Sequence, residues 1–173
     1  MMSKSEQISD AKRTPTRGVV IRVALPEDVV AISKLWFKFM EYNAAFDNSF
    51  EVKPKSSARF AREIQQRLID PNYRIAVAEM DDELVGYCFS YVSKKPYFFK
   101  LGKFGFIGDL YVLDLHRRRG IGRILVDDAH GFFRRRGVNQ VELLVATKNV
   151  ETIKFWERLG YIRLLEWLYK KQG

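Results

Sequence analysis

The second half of the chain contains a short segment in which arginines and two glycines stand close together. It reads Arg117-Arg118-Arg119-Gly120-Ile121-Gly122-Arg123. An apolar run typical of a strand precedes it, and a stretch with helical periodicity follows it. Free N–H groups at the start of a helix bind phosphate together with the helix dipole, and glycine lets the backbone come close to the ligand. The segment therefore predicts a phosphate-binding turn.

Two common nucleotide-binding loops do not fit this segment. The pattern Gly-x-x-x-x-Gly-Lys-Ser/Thr is absent from the chain. The dinucleotide fingerprint requires a third glycine, and Leu125 stands at that position. Neither of the two nucleotide-binding folds is favoured.

The stretch from Arg117 to Gly122 resembles the acyl-coenzyme A loop of the GNAT acyltransferase superfamily, which reads Arg/Gln-x-x-Gly-x-Gly/Ala. A second block is similar to the family's Asn-x-x-Ala-x-x-Phe-Tyr-x-x-x-Gly-Phe segment. Its matching residues are Asn149, Phe155, Gly160 and Tyr161, and Thr152 stands where the family has alanine. The resemblance extends roughly from Val19 to Lys170 and implies transfer of an acetyl group from acetyl-CoA to an amine.

The resemblance also implies which residues hold the cofactor. In the family, the backbone of the preceding strand pairs with the pantetheine arm, and the loop binds the pyrophosphate. Carried over to this chain, the cofactor-binding residues are Leu110, Tyr111, Val112, Arg117, Arg118, Arg119, Gly120, Ile121, Gly122, Arg123, Asn149, Phe155 and Trp156. No metal is expected, because His116 and His130 have no partners at metal-ligand spacing.

Direct transfer places different demands on the two reacting groups. An amine with a pKa near 10.4 needs about 4 to 5 kcal/mol to lose its proton at pH 7, so a base is useful. Protonation of the departing thiolate is a problem of only about 2 kcal/mol. The strand position where the family often has a carboxylate is Gly108, which leaves Asp109 as the candidate base. Trp156 stands where the family has a tyrosine acid, and no acid is assigned.

Three functions remain open at this point. The first is an N-acetyltransferase acting on a primary amine of a small molecule or a protein. The second is an acyl-CoA-binding module of the same fold with little or no turnover, which Trp156 and Gly108 suggest. The third and least favoured is a nucleic-acid binder, since residues 94–136 hold eleven Lys and Arg against four Asp and Glu.

The elements around the loop predict an α+β fold with a mixed, mostly antiparallel sheet of about six to seven strands flanked by helices. The strand-like runs are Val19–Val23, Arg74–Glu79, Leu84–Val92, Phe104–Leu113, Val138–Ala146 and Tyr161–Lys170. Helices are expected between Pro26 and Met40, from a serine cap at Ser56 or Ser57 to Asp70, from Gly120 to Arg136, and from Asn149 to Leu159. Gly105 and Gly108 interrupt a strand and are interpreted as a point where a ligand approaches.

The remainder of the chain bears on organisation and location. Residues 1–17 are predicted to be a flexible tail, and residues 18–173 a single domain. One cysteine, Cys88, and no apolar run of signal-peptide or spanning length favour a cytoplasmic protein without a membrane partner. Edge strands and an aromatic C-terminal strand make a homodimer the expected assembly.

Overall fold

The computed structural model describes residues 18–170 and 172 and is built around one five-stranded sheet. In chain order the strands are β1 (Val20–Val23), β2 (Tyr73–Met80), β3 (Glu83–Lys94), β4 (Lys103–Val112) and β5 (Val141–Leu143). Strands that are neighbours in this order are also neighbours in the sheet. The first four pair antiparallel, and β5 runs parallel to β4. The predicted α+β class with a mixed, mostly antiparallel sheet is confirmed.

Four helices cover the two faces of this sheet. They are α1 (Val29–Ala44), α2 (Ser56–Arg67), α3 (Ile121–Arg135) and α4 (Val150–Arg158). One buried cluster joins α1 and α2 to the sheet around Ile32, Ile64 and Tyr87. The other cluster joins α3 and α4 to the opposite face around Leu125 and Trp156. The apolar face of each helix is therefore buried in one of two clusters, with α1 and α2 in the first and α3 and α4 in the second.

The sheet has fewer strands than the six to seven expected. The predicted strand Val138–Ala146 is reduced to the three residues of β5, and Tyr161–Lys170 is not a strand. Beyond Tyr161 the segment up to Lys170 makes no backbone hydrogen bond with the described part of the chain. A three-residue β5 offers too short an edge for a ten-residue strand to pair with. In addition, the segment is apolar on both faces, so its alternation specifies neither face.

The start of α2 also differs from the prediction. Lys55, not a serine, precedes the helix and adopts a left-handed conformation with φ 66°. The Ser56 hydroxyl donates a hydrogen bond back to the Lys53 carbonyl at 2.6 Å. Among the residues that the structure describes, no side chain accepts a hydrogen bond from the N–H groups at the helix start.

Gly105 and Gly108 in β4 are explained by different structural features, and the feature that explains Gly105 is not a ligand. Phe89 of β3 lies opposite Asp109, and Ser90 lies opposite Ile107, so Gly108 is the extra residue of a β-bulge. At Gly105 a Cβ would lie 2.7 Å from the ring of Phe133 on α3. The interpretation of Gly105 as a point of ligand approach was therefore wrong, since a packed aromatic ring occupies that space.

Candidate functional site

The edge of β4 that faces β5 is open over half of its length. β5 pairs with β4 only from Gly105 to Ile107. After the bulge at Gly108, the edge up to Val112 has no strand partner on this side within residues 18–170, while β3 continues to pair on the other side. A strand edge of this kind offers unpaired backbone donors and acceptors to an extended ligand.

The loop between β4 and α3 presents a run of free amide groups. Within the described part of the chain, the six consecutive N–H groups from Arg118 to Arg123 have no hydrogen-bond partner. The first bond of the helix runs from the Ile124 N–H to the Gly120 carbonyl at 3.2 Å. Two residues of the loop, Arg118 and Gly120, have positive φ angles of 63° and 84°. Positive φ next to a helix start turns successive N–H groups toward a common point, which is how backbone binds phosphate.

Gly122 is where β4, α3 and α4 meet. A Cβ at Gly122 would lie 3.5 Å from the ring of Phe155 on α4 and 4.0 Å from Leu110 on β4. The free amides and the open edge of β4 are thus packed against one another through the same glycine. An extended molecule with a phosphate group can contact both at once.

The arginines of the loop have unequal surroundings. The Arg117 guanidinium lies over Tyr42 at 4.5 Å, pairs with Asp114 at 2.8 Å and donates to the Val112 carbonyl at 2.9 Å. Arg118 pairs with Glu151 of α4 at 2.8 Å. These two arginines hold the loop in place. Arg119 and Arg123 are exposed, and the nearest carboxylate to Arg123 is Asp127 at 4.0 Å.

Two of the predicted cofactor residues on α4 have structural partners. Asn149 is buried, and its side-chain oxygen accepts a hydrogen bond from the Thr152 N–H at 3.1 Å, which caps the helix. Trp156 is buried in the core between Phe155 and Tyr161, with ring centres 5.0 Å and 5.1 Å away. Asn149 therefore fixes the start of α4, and Trp156 packs α4 into the cluster that it shares with α3.

Asp109 directly follows the bulge of β4, and its carboxylate turns to the face of the sheet that α1 and α2 cover. The Tyr87 hydroxyl donates a hydrogen bond to Asp109 Oδ2 at 3.1 Å. Removal from water raises the pKa of Asp109 to about 6, although the hydrogen bond from Tyr87 acts in the opposite direction. A carboxyl with this pKa is ionised at neutral pH and accepts a proton more readily than an ordinary aspartate.

A family model decides which group of proteins this arrangement belongs to. The model of the acetyltransferase (GNAT) family matches residues 36–161, which include β4, the loop of free amides, α3 and α4. The chain belongs to the GNAT acetyltransferase family. A search of curated protein sequences gives no match.

Solved structures share the GNAT fold of this chain at low sequence identity. A mutant of the BH1408 protein from Bacillus halodurans is 18% identical, with a TM-score of 0.80 over 89% of this chain and 99% of that one. A predicted acetyltransferase from Clostridium acetobutylicum, solved with acetyl-CoA, is 18% identical with a TM-score of 0.70, covering 88% and 96%. An aminoglycoside 6'-N-acetyltransferase from Acinetobacter haemolyticus is 18% identical with a TM-score of 0.70, covering 89% and 98%.

Three tyrosines could take the place of the GNAT acid, and the hydroxyl of each is engaged or buried elsewhere. The Tyr161 hydroxyl is hydrogen-bonded to His130, in the third turn of α3, at 3.0 Å, and burial raises the pKa of Tyr161. The Tyr169 hydroxyl donates to Asp47 at 3.0 Å. Tyr111 is on β4, but it packs into the cluster with α1, and burial raises the pKa of its hydroxyl. The raised pKa values of Tyr111 and Tyr161 make these two hydroxyls weaker proton donors, and the Tyr169 hydroxyl is engaged with Asp47.

Sequence reasoning missed Tyr87, which is the hydrogen-bond partner of Asp109. Tyr87 lies opposite Tyr111 in the register of β3 and β4, one step along the same face from Asp109. The register of β3 and β4 was not predicted, because the bulge at Gly108 shifts it by one residue and changes which side chains share a face. Had the glycine at position 108 been interpreted as a bulge, the resulting register would have placed Tyr87 beside Asp109.

The described residues set two further bounds on the site. Among residues 18–170 and 172, no cluster of three or more His, Cys, Asp or Glu side chains has the geometry to hold a metal ion. No helix in that part of the chain is both long and apolar enough to span a bilayer.

Proposed function

We propose that the protein is an acetyl-CoA-dependent N-acetyltransferase that moves the acetyl group to a primary amine of a small molecule or a protein by direct transfer. The observation that carries the proposal is the run of six unpaired amides, Arg118 to Arg123, beside the open edge of β4. A molecule with a pyrophosphate at one end and an amide-containing arm satisfies both features. Coenzyme A has this form.

The cofactor would lie along three elements. The amides of Gly120, Ile121 and Gly122 receive the pyrophosphate, and the exposed Arg119 and Arg123 add charge. The edge from Leu110 to Val112 pairs with the pantetheine amides. Phe155, packed at Gly122, borders the arm. The remaining predicted residues, Arg117, Arg118, Asn149 and Trp156, act as positioning residues through the contacts described above.

Asp109 is proposed as the base or as part of a proton path for the amine. The neutral amine attacks the thioester carbonyl, the C–S bond breaks, and the amine proton leaves toward Asp109 while coenzyme A departs as the thiolate. With a pKa of about 6, Asp109 is ionised and able to accept at neutral pH. Turnover should therefore fall as the pH drops through about 6, and the protonation of the amine adds to this fall.

The leaving thiolate is proposed to take its proton from solvent. The buried indole of Trp156 donates no useful proton, and Tyr161 and Tyr169 have partners elsewhere. Release of the unprotonated thiolate costs only about 2 kcal/mol at neutral pH, so the reaction can proceed without a side-chain acid. Trp156 also supports the second candidate, a GNAT module that binds acetyl-CoA with little turnover.

Two measurements on the full chain distinguish these candidates. Acetyl-CoA should raise the melting temperature, because a ligand that prefers the folded state stabilises it. Release of free coenzyme A thiol is then followed across an amine panel that includes an aminoglycoside, a small diamine and a peptide with a free N-terminus. Thiol release with at least one amine supports the enzyme. A clear melting shift with no release across the panel favours the binding module, and no shift at millimolar acetyl-CoA rejects both.

We further propose a cytoplasmic homodimer. Segment Tyr161–Lys170 has exposed large apolar side chains, among them Leu165 and Trp167 at 88% and 80%, and an unpaired backbone. A second copy would cover it in a closed, two-fold arrangement. The single, buried Cys88 supports a reducing compartment. Light scattering should give a mass near 41 kDa, about twice that of the chain, and a Leu165→Glu/Leu168→Glu variant should be monomeric; a monomeric wild type contradicts the dimer.

A further inference from the structure

The far end of α3 from the proposed cofactor loop carries a second concentration of positive charge. It is formed by the β3–β4 loop from Lys94 to Lys103 and by residues Arg134–Arg136 at the end of α3, and we refer to it as the basic aromatic end. The Lys103 ammonium donates to the Arg136 carbonyl, which ties the two parts together. The 15 residues of α3 separate this end from the free amides by about 22 Å.

The charge at the basic aromatic end is only partly neutralised. Lys95 pairs with Glu142 at 2.8 Å. Lys103 and Arg136 donate to backbone carbonyls only. Like these two, Lys94, Lys100, Arg134 and Arg135 form no ion pair within the described part of the chain. Lys94 and Lys103 lie directly opposite each other in the sheet register. Like charges in this position are destabilising. The fold therefore tolerates a local repulsion that an anionic partner would relieve.

An apolar projection stands beside these cations. Tyr97, Phe98 and Phe99 are 98%, 69% and 53% exposed. They occupy a tight turn closed by the hydrogen bond from the Phe99 N–H to the Pro96 carbonyl at 3.0 Å. The rings contact one another, with centres 5.5 Å apart for Tyr97 and Phe98 and 4.8 Å apart for Phe98 and Phe99. Water is a poor environment for three adjacent rings at a loop tip.

A shallow groove of about 440 Å³ lies beside the end of α3, and its lining residues are Asn72, Val92, Ser93, Lys94, Lys103 and Arg136. Three of the six are cations, which suits the groove to an anionic group. Acidic side chains are few at this end. Glu142 is paired with Lys95, and Asp70 accepts from the Asn72 side chain and N–H.

We propose that the basic aromatic end docks on an anionic lipid surface. Aromatic side chains settle at the boundary between headgroups and acyl chains, and lysine or arginine beside them contacts anionic headgroups. In this orientation the free amides at the other end of α3 face away from the bilayer. This proposal departs from the expectation, drawn from the sequence, that the protein has no membrane partner.

A single-stranded nucleic acid fits the same surface less well. Such ligands stack successive bases on ring faces spaced along a groove. Here the three rings are consecutive in sequence and cover part of each other's faces. A compact apolar tip suits insertion into lipid, whereas separated platforms suit bases.

The test is co-sedimentation of the full chain with vesicles of phosphatidylcholine, with and without 30% phosphatidylserine. We expect binding to the anionic vesicles only, weakened by salt. A Lys94→Gln/Lys100→Gln variant should lose about 25-fold in the vesicle partition coefficient, since each cation near an anionic surface contributes about fivefold. A Tyr97→Ser/Phe98→Ser variant, which keeps all charges, should lose at least tenfold.

The matched control is Lys34→Gln/Lys38→Gln, which removes two exposed lysines from the outer face of α1. It should change the partition coefficient by less than threefold. Equal losses in both lysine variants would mean attraction by net charge alone and would overturn the proposal, as would no binding to anionic vesicles at low salt. A fluorescent oligouridine is titrated in parallel. Binding to it that depends on Tyr97 and Phe98, without vesicle binding, would replace the lipid surface with single-stranded RNA.

Discussion

Both ends of α3 are rich in arginine, but their backbone N–H groups differ in hydrogen bonding. At the start, the N–H groups from Arg118 to Arg123 are free. At the end, the N–H groups of Arg136, Gly137 and Val138 all donate to carbonyls of Phe133 or Arg134 at 3.0 to 3.1 Å. Positive charge alone therefore does not locate a phosphate site. The site proposed at the start of the helix rests on the unpaired amides and the positive end of the helix dipole.

The glycines at the two ends make this comparison experimentally accessible. Gly120 precedes α3 with φ 84°, and Gly137 follows it with φ 63°. The backbone conformation is similar, but the amide of Gly137 is bonded to the Arg134 carbonyl, whereas that of Gly120 is free. Variants at these two positions carry similar backbone strain and differ in what they remove. The predictions below begin with Asp109 at the start of α3 and then compare variants at the two ends, from the largest expected effect to the smallest.

Asp109→Asn separates chemistry from cofactor binding at the start of α3. Turnover at pH 8 should fall about 1000-fold, since a positioned base contributes 100- to 10,000-fold. Affinity for coenzyme A should change by less than twofold, because the amide loop is untouched. Initial rates and calorimetric titration measure the two quantities. Full activity in the variant would remove Asp109 from the mechanism.

The same variant has a stability signature with a defined sign. The folded-state pKa of Asp109 is raised to about 6, so the wild type loses stability as the pH rises from about 4 to 6 and the half-buried carboxyl ionises. The side-chain amide of the variant does not ionise, so Asp109→Asn should be more stable than the wild type at pH 8 by up to about 3 kcal/mol and equal at pH 4. Urea denaturation at both pH values measures the difference.

Gly120→Val should weaken coenzyme A binding at least 100-fold. The valine Cβ meets open space in the protein and would enter the volume assigned to the pyrophosphate. Valine at positive φ also costs stability. Gly137→Val is the control, since it carries the same kind of strain at the other end of α3 and should keep binding within threefold. Equal loss of affinity in both variants would point to strain in α3 and not to the loss of a phosphate site.

Removal of two positive charges from the start of α3 should have a moderate effect on coenzyme A binding. Arg119→Gln/Arg123→Gln should weaken coenzyme A binding about tenfold at low salt and less at high salt, because exposed charges are screened. Arg134→Gln/Arg135→Gln removes the same charge from the other end and should leave this affinity unchanged. Calorimetry at 50 mM and 500 mM salt makes the comparison. An equal loss of affinity in both double variants would show that the arginines attract coenzyme A only through the net charge of the protein.

Gly122→Ala is expected to have the smallest effect. A Cβ there makes ordinary contacts with Phe155 and Leu110, and alanine favours a helix over glycine by about 0.5 to 1 kcal/mol. The variant should be slightly more stable and should bind coenzyme A within twofold. A large loss of affinity would show that a Cβ at position 122 obstructs the cofactor, contrary to the proposed placement.

Particular residues explain why the sequence predicted some features and not others. The turn before α3 and the start of α4 at Asn149 were predictable, because glycine and asparagine at element ends have local causes. Asn149 was predicted as a cofactor residue, and its role as the cap of α4 was not predicted. The place of Asp109 beside Tyr87 was not predictable, since it depends on a bulge that shifts strand pairing. Gly105 was misinterpreted because its cause, the ring of Phe133, is distant in sequence. The segment Tyr161–Lys170 has strand-like composition but lacks an edge long enough to pair with in the described chain.

The most direct test of the account is an amide-resolved NMR titration of the folded protein with coenzyme A. We expect downfield proton shifts for the amides from Arg118 to Arg123, largest at Gly120 and Gly122, because free N–H groups gain charged acceptors. The amides of Arg136 and Gly137 should not move. Shifts confined to the C-terminal end of α3, or spread equally over both ends, would contradict the assignment of the pyrophosphate to the start of the helix.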